Sequence, residues 1–346
     1  MKDLKIKITS IVMGLTILTA SLYANEKPIK LILHHLHSPK APTHTKLLEP
    51  WAKEIEKMSN GKLQIEVYPS MTLGGKPTEL YKQARDGVVD IVWTLAGYTP
   101  GVFPRTEVFE LPTVHQGSSL ATSIAIKEKF DLIKDDYKDV KPLLVYVHAG
   151  NAIHTTQKEV KSLEDLKGLK LRTPSRTGGW LIEEFGAEPV GMPLPTLPQA
   201  LSKNAVDGAL VPFEIFPAFK IHNLTKHSIV GPNDSRFGTS VFIMLMNKDK
   251  FNSMPKDLQD IVEKSLDMEM VKKAGQLWMD FEKPGIEKQK SSKDSDVTAL
   301  SEESMKEFDK AGQRVVQKWI SEVKEKGIDG EKLVNEARKA INANTK

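Results

Sequence analysis

The sequence predicts an α/β protein built as two lobes, each a mostly parallel sheet flanked by helices. Three observations carry this. From Lys30 to Thr94, strand-like and helix-like stretches alternate, as they do when helical crossovers cover a parallel sheet. The helix exit Gln83-Ala-Arg-Asp-Gly-Val-Val-Asp-Ile-Val-Trp93 is echoed by Gln199-Ala-Leu-Ser-Lys-Asn-Ala-Val-Asp-Gly-Ala-Leu-Val211. In each, a turn-forming or small residue ends the helix and a Val-Asp pair leads into a strand. Common loop chemistry would produce the same echo by coincidence, but two similar lobes are the simplest account. Finally, 346 residues suffice for two domains of ordinary size with a substantial core.

The elements follow in order. Met1 to Lys7 is basic and Ile8 to Leu22 largely apolar, which predicts an export signal over 1–24, cleaved near Ala24, and a soluble periplasmic protein. Lys30 to His37 alternates as a first strand. Thr43 to Met58 has a helical pattern, with Pro50 disturbing its second turn and Gly61 ending the element. Leu63 to Tyr68 is a period-two strand closed by Pro69; a helix from about Thr78 to Arg85 and a strand over Val88–Thr94 follow. Leu95 to Pro112, rich in Gly, Pro and aromatics, is a long ordered loop. Ser118 to Leu132 is helical, and Lys141 to His148 is a strand able to cross between lobes.

Ser162 to Gly168 is a short capped turn before an alternating run that ends in Arg172. Pro174 and the Gly178-Gly179 pair stop this strand and open a helix that Gly186 closes. Glu188 to Pro195 is a short strand and loop. Thr239 to Asn247 is a strand that returns to the first lobe. A helical pattern from about Pro255 to Gln289 is broken at Pro284-Gly285, and amphipathic helices over about Ser301–Lys326 and Asp329–Asn344 complete the chain. The first lobe is thus expected over 25–148, completed by about 239–270, the second over 149–238, with helices over 271–346.

Composition excludes several classes. Lys and Arg number 49 against 45 Asp and Glu, and no basic block interleaves with aromatics, so no nucleic-acid groove is indicated. With no cysteine, disulfides, thiol nucleophiles and cysteine metal sites are absent. His34, His35, His37 and His44 invite a metal reading, but His35 and His37 share one strand face while His34 lies opposite, and no acidic ligand is near in sequence. A polar pocket wall that includes His37, or an ordinary half-buried strand end, is the better reading, and neither metal nor cofactor is expected. Leu73-Gly-Gly-Lys-Pro-Thr78 lacks the glycine spacing of a phosphate loop. The sequence carries no Gly-x-Ser-x-Gly elbow, His-Glu-x-x-His pair or Gly-x-Gly-x-x-Gly fingerprint, so no reaction machinery is identifiable.

Arg172 is the leading binding candidate. An arginine at a strand's C-terminal end beside a helix N-terminus faces the crevice where open α/β sheets take ligands, and its planar fork suits a carboxylate. An ordinary surface arginine is the alternative. Trp93, Tyr98, Trp180, Phe213 and Phe216 fall at pocket-facing ends or in the core, and Arg236 is either a second cation or exposed.

The blocks Asp165-Leu-Lys-Gly-Leu-Lys-Leu-Arg-Thr-Pro174, Gly186-Ala-Glu-Pro-Val-Gly-Met-Pro193 and Val206-Asp-Gly208 occur in the order and spacing of the DctP-like substrate-binding proteins of tripartite ATP-independent periplasmic (TRAP) transporters. The chain resembles that family over essentially its whole mature length, and Phe103 to Pro112 resembles a family segment beside the ligand. The resemblance implies a two-lobed periplasmic binding protein with a lobe-spanning helix and Arg172 on a ligand carboxylate. It further implies capture of an organic acid and its delivery to an ion-gradient-driven TRAP permease. In periodicity alone, the long helix would equally suit a coiled-coil arm.

One departure stands out. Where many members carry a further arginine, this chain has Gly150-Asn-Ala-Ile-His-Thr-Thr156. Either His154 or Arg236 substitutes, or the ligand's far end is not anionic. A small dicarboxylate would need that second cation, whereas an aromatic or hydroxy monocarboxylate would use Trp93, Trp180 and Phe213 as walls. A periplasmic enzyme acting on a carboxylic acid, or a binding protein serving a sensor, are the competing readings.

Overall fold

The computed structural model describes residues 27–345, so the expected export signal lies outside the described residues. In chain order the strands are β1 (Ile29–His35), β2 (Leu63–Tyr68), β3 (Ile91–Leu95), β4 (Lys141–Val147), β5 (Ala152–Thr155), β6 (Lys170–Thr173), β7 (Glu188–Gly191), β8 (Gly208–Val211), β9 (His227–Val230), β10 (Val241–Met246) and β11 (Asp296–Ala299). They form two sheets, ordered β2-β1-β3-β10-β4 and β11-β9-β5-β8-β6-β7.

The sheets share one pattern. In the first, β2, β1 and β3 run parallel and β10 is antiparallel to β3. In the second, β7, β6 and β8 run parallel and β5 is antiparallel to β8. The antiparallel strand is in each case the one that has just crossed from the other sheet: β5 follows β4, and β10 follows β9. A strand arriving from the opposite lobe has no helical crossover behind it to turn it parallel, so each sheet is mixed where its lobe joins the other. The helix-exit echo seen in the sequence falls on β3 and β8, equivalent central strands.

The helices are α1 (Glu49–Met58), α2 (Leu80–Arg85), α3 (Ser119–Glu128), α4 (Arg176–Glu184), α5 (Leu197–Ser202), α6 (Phe216–Phe219), α7 (Lys248–Ser253), α8 (Lys256–Lys264), α9 (Met268–Ser291), α10 (Glu302–Glu325) and α11 (Gly330–Asn344). A π-helical turn, Thr43–Leu48, precedes α1 and lets Pro50 fall in the first turn of the α-helix, where its missing N–H costs nothing. The long helical pattern breaks at Ser265–Asp267 and not, as expected, at Pro284. Asp267 Oδ1 accepts from Glu269 N and Met270 N and so starts a new helix, while Pro284 is carried inside α9.

At about 1.5 Å per residue, the 24 residues of α9 span roughly 36 Å. That length lets it pack on α3 beside the first sheet, on the Phe213–Ile215 turn, and on β11 of the second sheet. β11 was not expected from the sequence; it adds to β9 in parallel. The last two helices divide between the lobes, α10 against α4 and α11 against α3.

The loop after β3 carries two buried acids that tie the lobes together. Glu107 accepts from Arg176 Nε and Nη2 of α4, both at 2.6 Å, and from Trp319 Nε1 at 3.1 Å. Glu110 accepts from Val241 N at 2.9 Å and from Thr177 Oγ1 at 3.2 Å.

Candidate functional site

Strand β6 ends because Pro174 has no N–H for the ladder, and Ser175 at once caps α4 by accepting from Gly178 N. Arg172 is therefore held one residue before a turn, in register with Val190 of β7 and Ala209 of β8. It is only 2% exposed, which removes the surface-arginine reading. Nε donates to Met192 O at 2.9 Å and Nη2 reaches Tyr98 OH at 3.5 Å; Tyr98 OH also accepts from Leu194 N at 2.8 Å. Burial pulls the guanidinium below its ordinary pKa, and the only groups acting against this belong to Tyr98. Among the described residues, no carboxylate pairs with it.

Arg172 faces a narrow cavity between the sheets. His37, Leu95, Tyr98 and Phe242 line it from the first lobe; Asn151, Pro174, Leu194 and Val211 to Ile215 (without Phe213) do so from the second. His148 and Ser240 come from the two crossovers, which are joined by Asn151 N to Gly238 O (2.8 Å), Phe237 N to Asn151 O (2.9 Å) and Ser240 N to His148 Nε2 (3.0 Å). A second small chamber adjoins through His37, Glu214 and Ile215 and reaches Thr43, Trp278 and Phe281.

The walls are mostly apolar, yet four buried polar atoms in the lining have no hydrogen-bond partner: Asn151 Oδ1, Ser240 Oγ, His37 Nε2 and Glu214 Oε2. Buried polar groups are nearly always paired, so their occurrence in one lining with a cation that has no counter-ion makes this the candidate binding site. His37 is held neutral, burial pushing it down to about 3, and its Nδ1 bonds Thr43 Oγ1 at 2.9 Å. Burial pushes the Glu214 carboxyl well above its ordinary range, and nearby Glu282 adds to the shift.

Of the residues singled out from sequence, Arg172, Tyr98, Pro174 and His37 meet at this cavity. Trp93 stands behind it, its ring tilted against those of His37 and Phe242 with centroids 4.7 and 4.9 Å away, and Nε1 donates to Tyr146 OH. Trp180 lies outside, on a wide surface groove, between Arg176 and Lys318.

Three residues are placed elsewhere. His154 is fully buried between β8 and β9, its Nε2 on Val211 O (3.1 Å) and its Nδ1 on Ser228 Oγ (2.7 Å), so it has no free nitrogen and does not supply a second contact. Phe213 packs on His154 and Phe216, because the Pro212–Ile215 turn sends Glu214 and not Phe213 into the cavity. Arg236 is buried on the far side of that turn, neutralised by Asp234 and by Glu282, so it is not a second cation for the cavity.

Asn151, Glu214, Ser240 and Phe242 were missed. The one signal available was a lone carboxylate inside Val211-Pro-Phe-Glu-Ile-Phe-Pro-Ala-Phe219. The histidines near the N-terminus are engaged singly, His35 with His44 and His34 with Gln83. No group of three or more potential metal ligands occurs among the described residues.

Two lobes joined by crossing strands, with a buried unpaired cation in the cavity between them, define a solute-binding protein. The profile of bacterial extracellular solute-binding protein, family 7 (DctP), matches residues 33–322, and the chain belongs to that family of TRAP solute-binding proteins. A marine metagenome TRAP solute binding protein specific for aromatic acid ligands, solved with 3-hydroxybenzoate, is 40% identical with a TM-score of 0.89, over 93% of this chain and 100% of that one. A TRAP solute binding protein from Rhodoferax ferrireducens, solved with copurified benzoate, is 36% identical with a TM-score of 0.87, over 91% and 98%. The C4-dicarboxylate-binding periplasmic protein DctP of Rhodobacter capsulatus is 26% identical, covering 72% of this chain and 74% of its own length. No helix among the described residues is long and apolar enough to cross a membrane.

Proposed function

We infer that the protein works in the periplasm, captures an aromatic monocarboxylate between its lobes through Arg172, and hands it to a TRAP permease. The observation that carries this is the buried Arg172 guanidinium, which lines a mostly apolar cavity and has no acidic partner among the described residues. A ligand carboxylate supplies the missing charge and the bidentate acceptor that the fork is shaped for. Asn151 and Ser240 offer neutral polar contacts in the same lining. With Arg236 and His154 both engaged elsewhere, no second cation among the described residues lines the cavity to serve a dicarboxylate. Leu95, Phe242, Val211 and Leu194 provide walls for a ring, and the relatives at 40% and 36% identity carry aromatic acids. The periplasmic setting and the permease follow from the family.

The test is a thermal-shift screen of benzoate, hydroxybenzoates, mandelate and succinate, followed by calorimetry, since a ligand that binds only the native state raises its stability by mass action. Stabilisation by aromatic monocarboxylates and none by succinate is expected. Succinate binding more tightly than any aromatic acid would refute the aromatic reading.

A further inference from the structure

The end of the cavity away from Arg172 has its own chemistry. His37 and Glu214 line both chambers, whereas Arg172 lines only one, so these two residues stand at the boundary on the side remote from the cation. His37 is 4% and Glu214 7% exposed, and each has a buried polar atom without a hydrogen-bond partner, Nε2 and Oε2; the Trp278 indole N–H, equally unpartnered, lies beside the Glu214 carboxyl and is the protein group nearest to satisfying it. Both are fixed from behind. His37 Nδ1 is taken by Thr43 Oγ1, and Glu214 N donates to Glu282 Oε1 at 3.1 Å. Glu282 in turn receives Arg236 Nη2 at 3.2 Å, so the nearest cation is spent on Glu282 and Asp234.

We propose that Glu214 and His37 form a hydroxyl-recognising subsite, so that the preferred ligand is an aromatic acid with its carboxylate on Arg172 and a phenolic hydroxyl between these two side chains. This rests on the reading of Arg172 as the carboxylate contact. A phenolic oxygen both donates and accepts. It can accept from the Glu214 carboxyl, held protonated by burial and by the neighbouring Glu282, and donate to the neutral His37 imidazole. A second carboxylate here would meet Glu214 with Glu282 behind it and no free cation. A methyl group of similar size would leave both side chains buried and unpaired, and a site built to hydrogen-bond a hydroxyl discriminates strongly against an analogue that lacks it.

The experiment is calorimetric titration of wild type, Glu214→Leu and Glu214→Gln with benzoate, 3- and 4-hydroxybenzoate, and 3- and 4-methylbenzoate. Wild type should bind one of the hydroxybenzoates at least about ten-fold more tightly than its methyl counterpart. Glu214→Leu should lose or invert that preference while still binding methylbenzoate, which also shows that it is folded. Glu214→Gln, whose neutral amide still donates and accepts, should keep most of the preference. Equal affinities for hydroxy and methyl acids in wild type, or an unchanged preference in Glu214→Leu, would overturn the subsite and leave the Arg172 reading standing. Failure of every benzoate to bind would overturn both together.

Discussion

Replacing Arg172 by methionine separates a binding role from a structural one. The guanidinium has Met192 O and Tyr98 OH as its protein partners and lacks a counter-ion, so the rest of its fork is available to a ligand carboxylate. Two charge-assisted hydrogen bonds, at about 1.5–3 kcal/mol each, give a loss of about 3–6 kcal/mol on substitution. That corresponds to roughly two to four orders of magnitude in affinity. Lysine should rescue little, because a point charge cannot reproduce the planar fork. Stability without ligand should change little or rise. The substitution removes two hydrogen bonds, but in the closed form it also removes a 2%-exposed charge with no partner, a replacement that is often neutral or stabilising, and in an open form the hydrated guanidinium contributes little. Calorimetric titration of Arg172→Met and Arg172→Lys with the best aromatic acid, alongside unliganded melting curves, measures both terms. Near wild-type affinity in Arg172→Met would remove the residue from the site, and a large fall in the unliganded melting temperature would make it a structural arginine.

Gly97→Ala should weaken binding about ten-fold or more without lowering unliganded stability, because its Cβ would stand 2.7 Å from Ser175 Cβ and 3.1 Å from Pro174 O across the cleft mouth; titration and melting of the same sample check both halves. Gly285→Ala should cost about 2–4 kcal/mol in denaturant unfolding, since its Cβ would overlap the Phe213 carbonyl, which is backbone and cannot turn aside. Arg176→Met should cost about 3 kcal/mol by leaving Glu107 buried without its cation, a loss that added ligand partly restores.

Stability should also peak in mildly acidic solution. His37 and His154 lie near 3 and His115 near 4 in the fold, all below their ordinary 6.5, so the unfolded chain binds more protons and stability falls as pH drops from about 6.5. Glu110 and Glu282 are raised to about 7 from 4.5, so the folded chain holds their protons and stability falls as pH rises from about 4.5 to 7. Glu110→Gln should flatten that upper limb by about 3 kcal/mol in melting curves taken at several pH values, and an unchanged limb would refute the assignment.

The part of the site that could be read from the sequence is the part made by local structure. The Ser162 cap, Gly168, Pro174 and Gly186 fix where β6 begins and ends, and thereby put Arg172 at the crevice. Contacts between distant segments left no such trace. Asn151, Glu214 and Ser240 meet only because β5 and β10 cross between lobes, and Arg236 finds its partner Glu282 46 residues away. Period-two patterning could not orient His154 either, since all four residues of β5 are buried and neither face is marked by solvent. The arginine missing from Gly150 to Thr156 made His154 and Arg236 look like its substitutes. Their satisfied partners are tertiary facts.

The position of the unpaired groups connects the site to its motion. Asn151 and Ser240 belong to the two crossovers, the segments that must adjust if the lobes part, and Glu214 is bonded to α9, which spans both lobes. The arrangement seen here is closed: a Cβ added at Gly97 would stand 2.7 Å from Ser175 Cβ, and Arg172 is buried from solvent. Closing without a ligand would strip water from a cation at a cost of several kcal/mol and leave each neutral polar group unpaired at about 1–3 kcal/mol. An open form restores water to all of them, so the empty protein is biased toward opening. A ligand carboxylate on Arg172, with polar partners for Asn151, Ser240 and the Glu214 end, removes those penalties in the closed form alone. The same contacts that give affinity therefore set the closed population, and a ligand missing one of them should close the protein less completely as well as bind it less tightly.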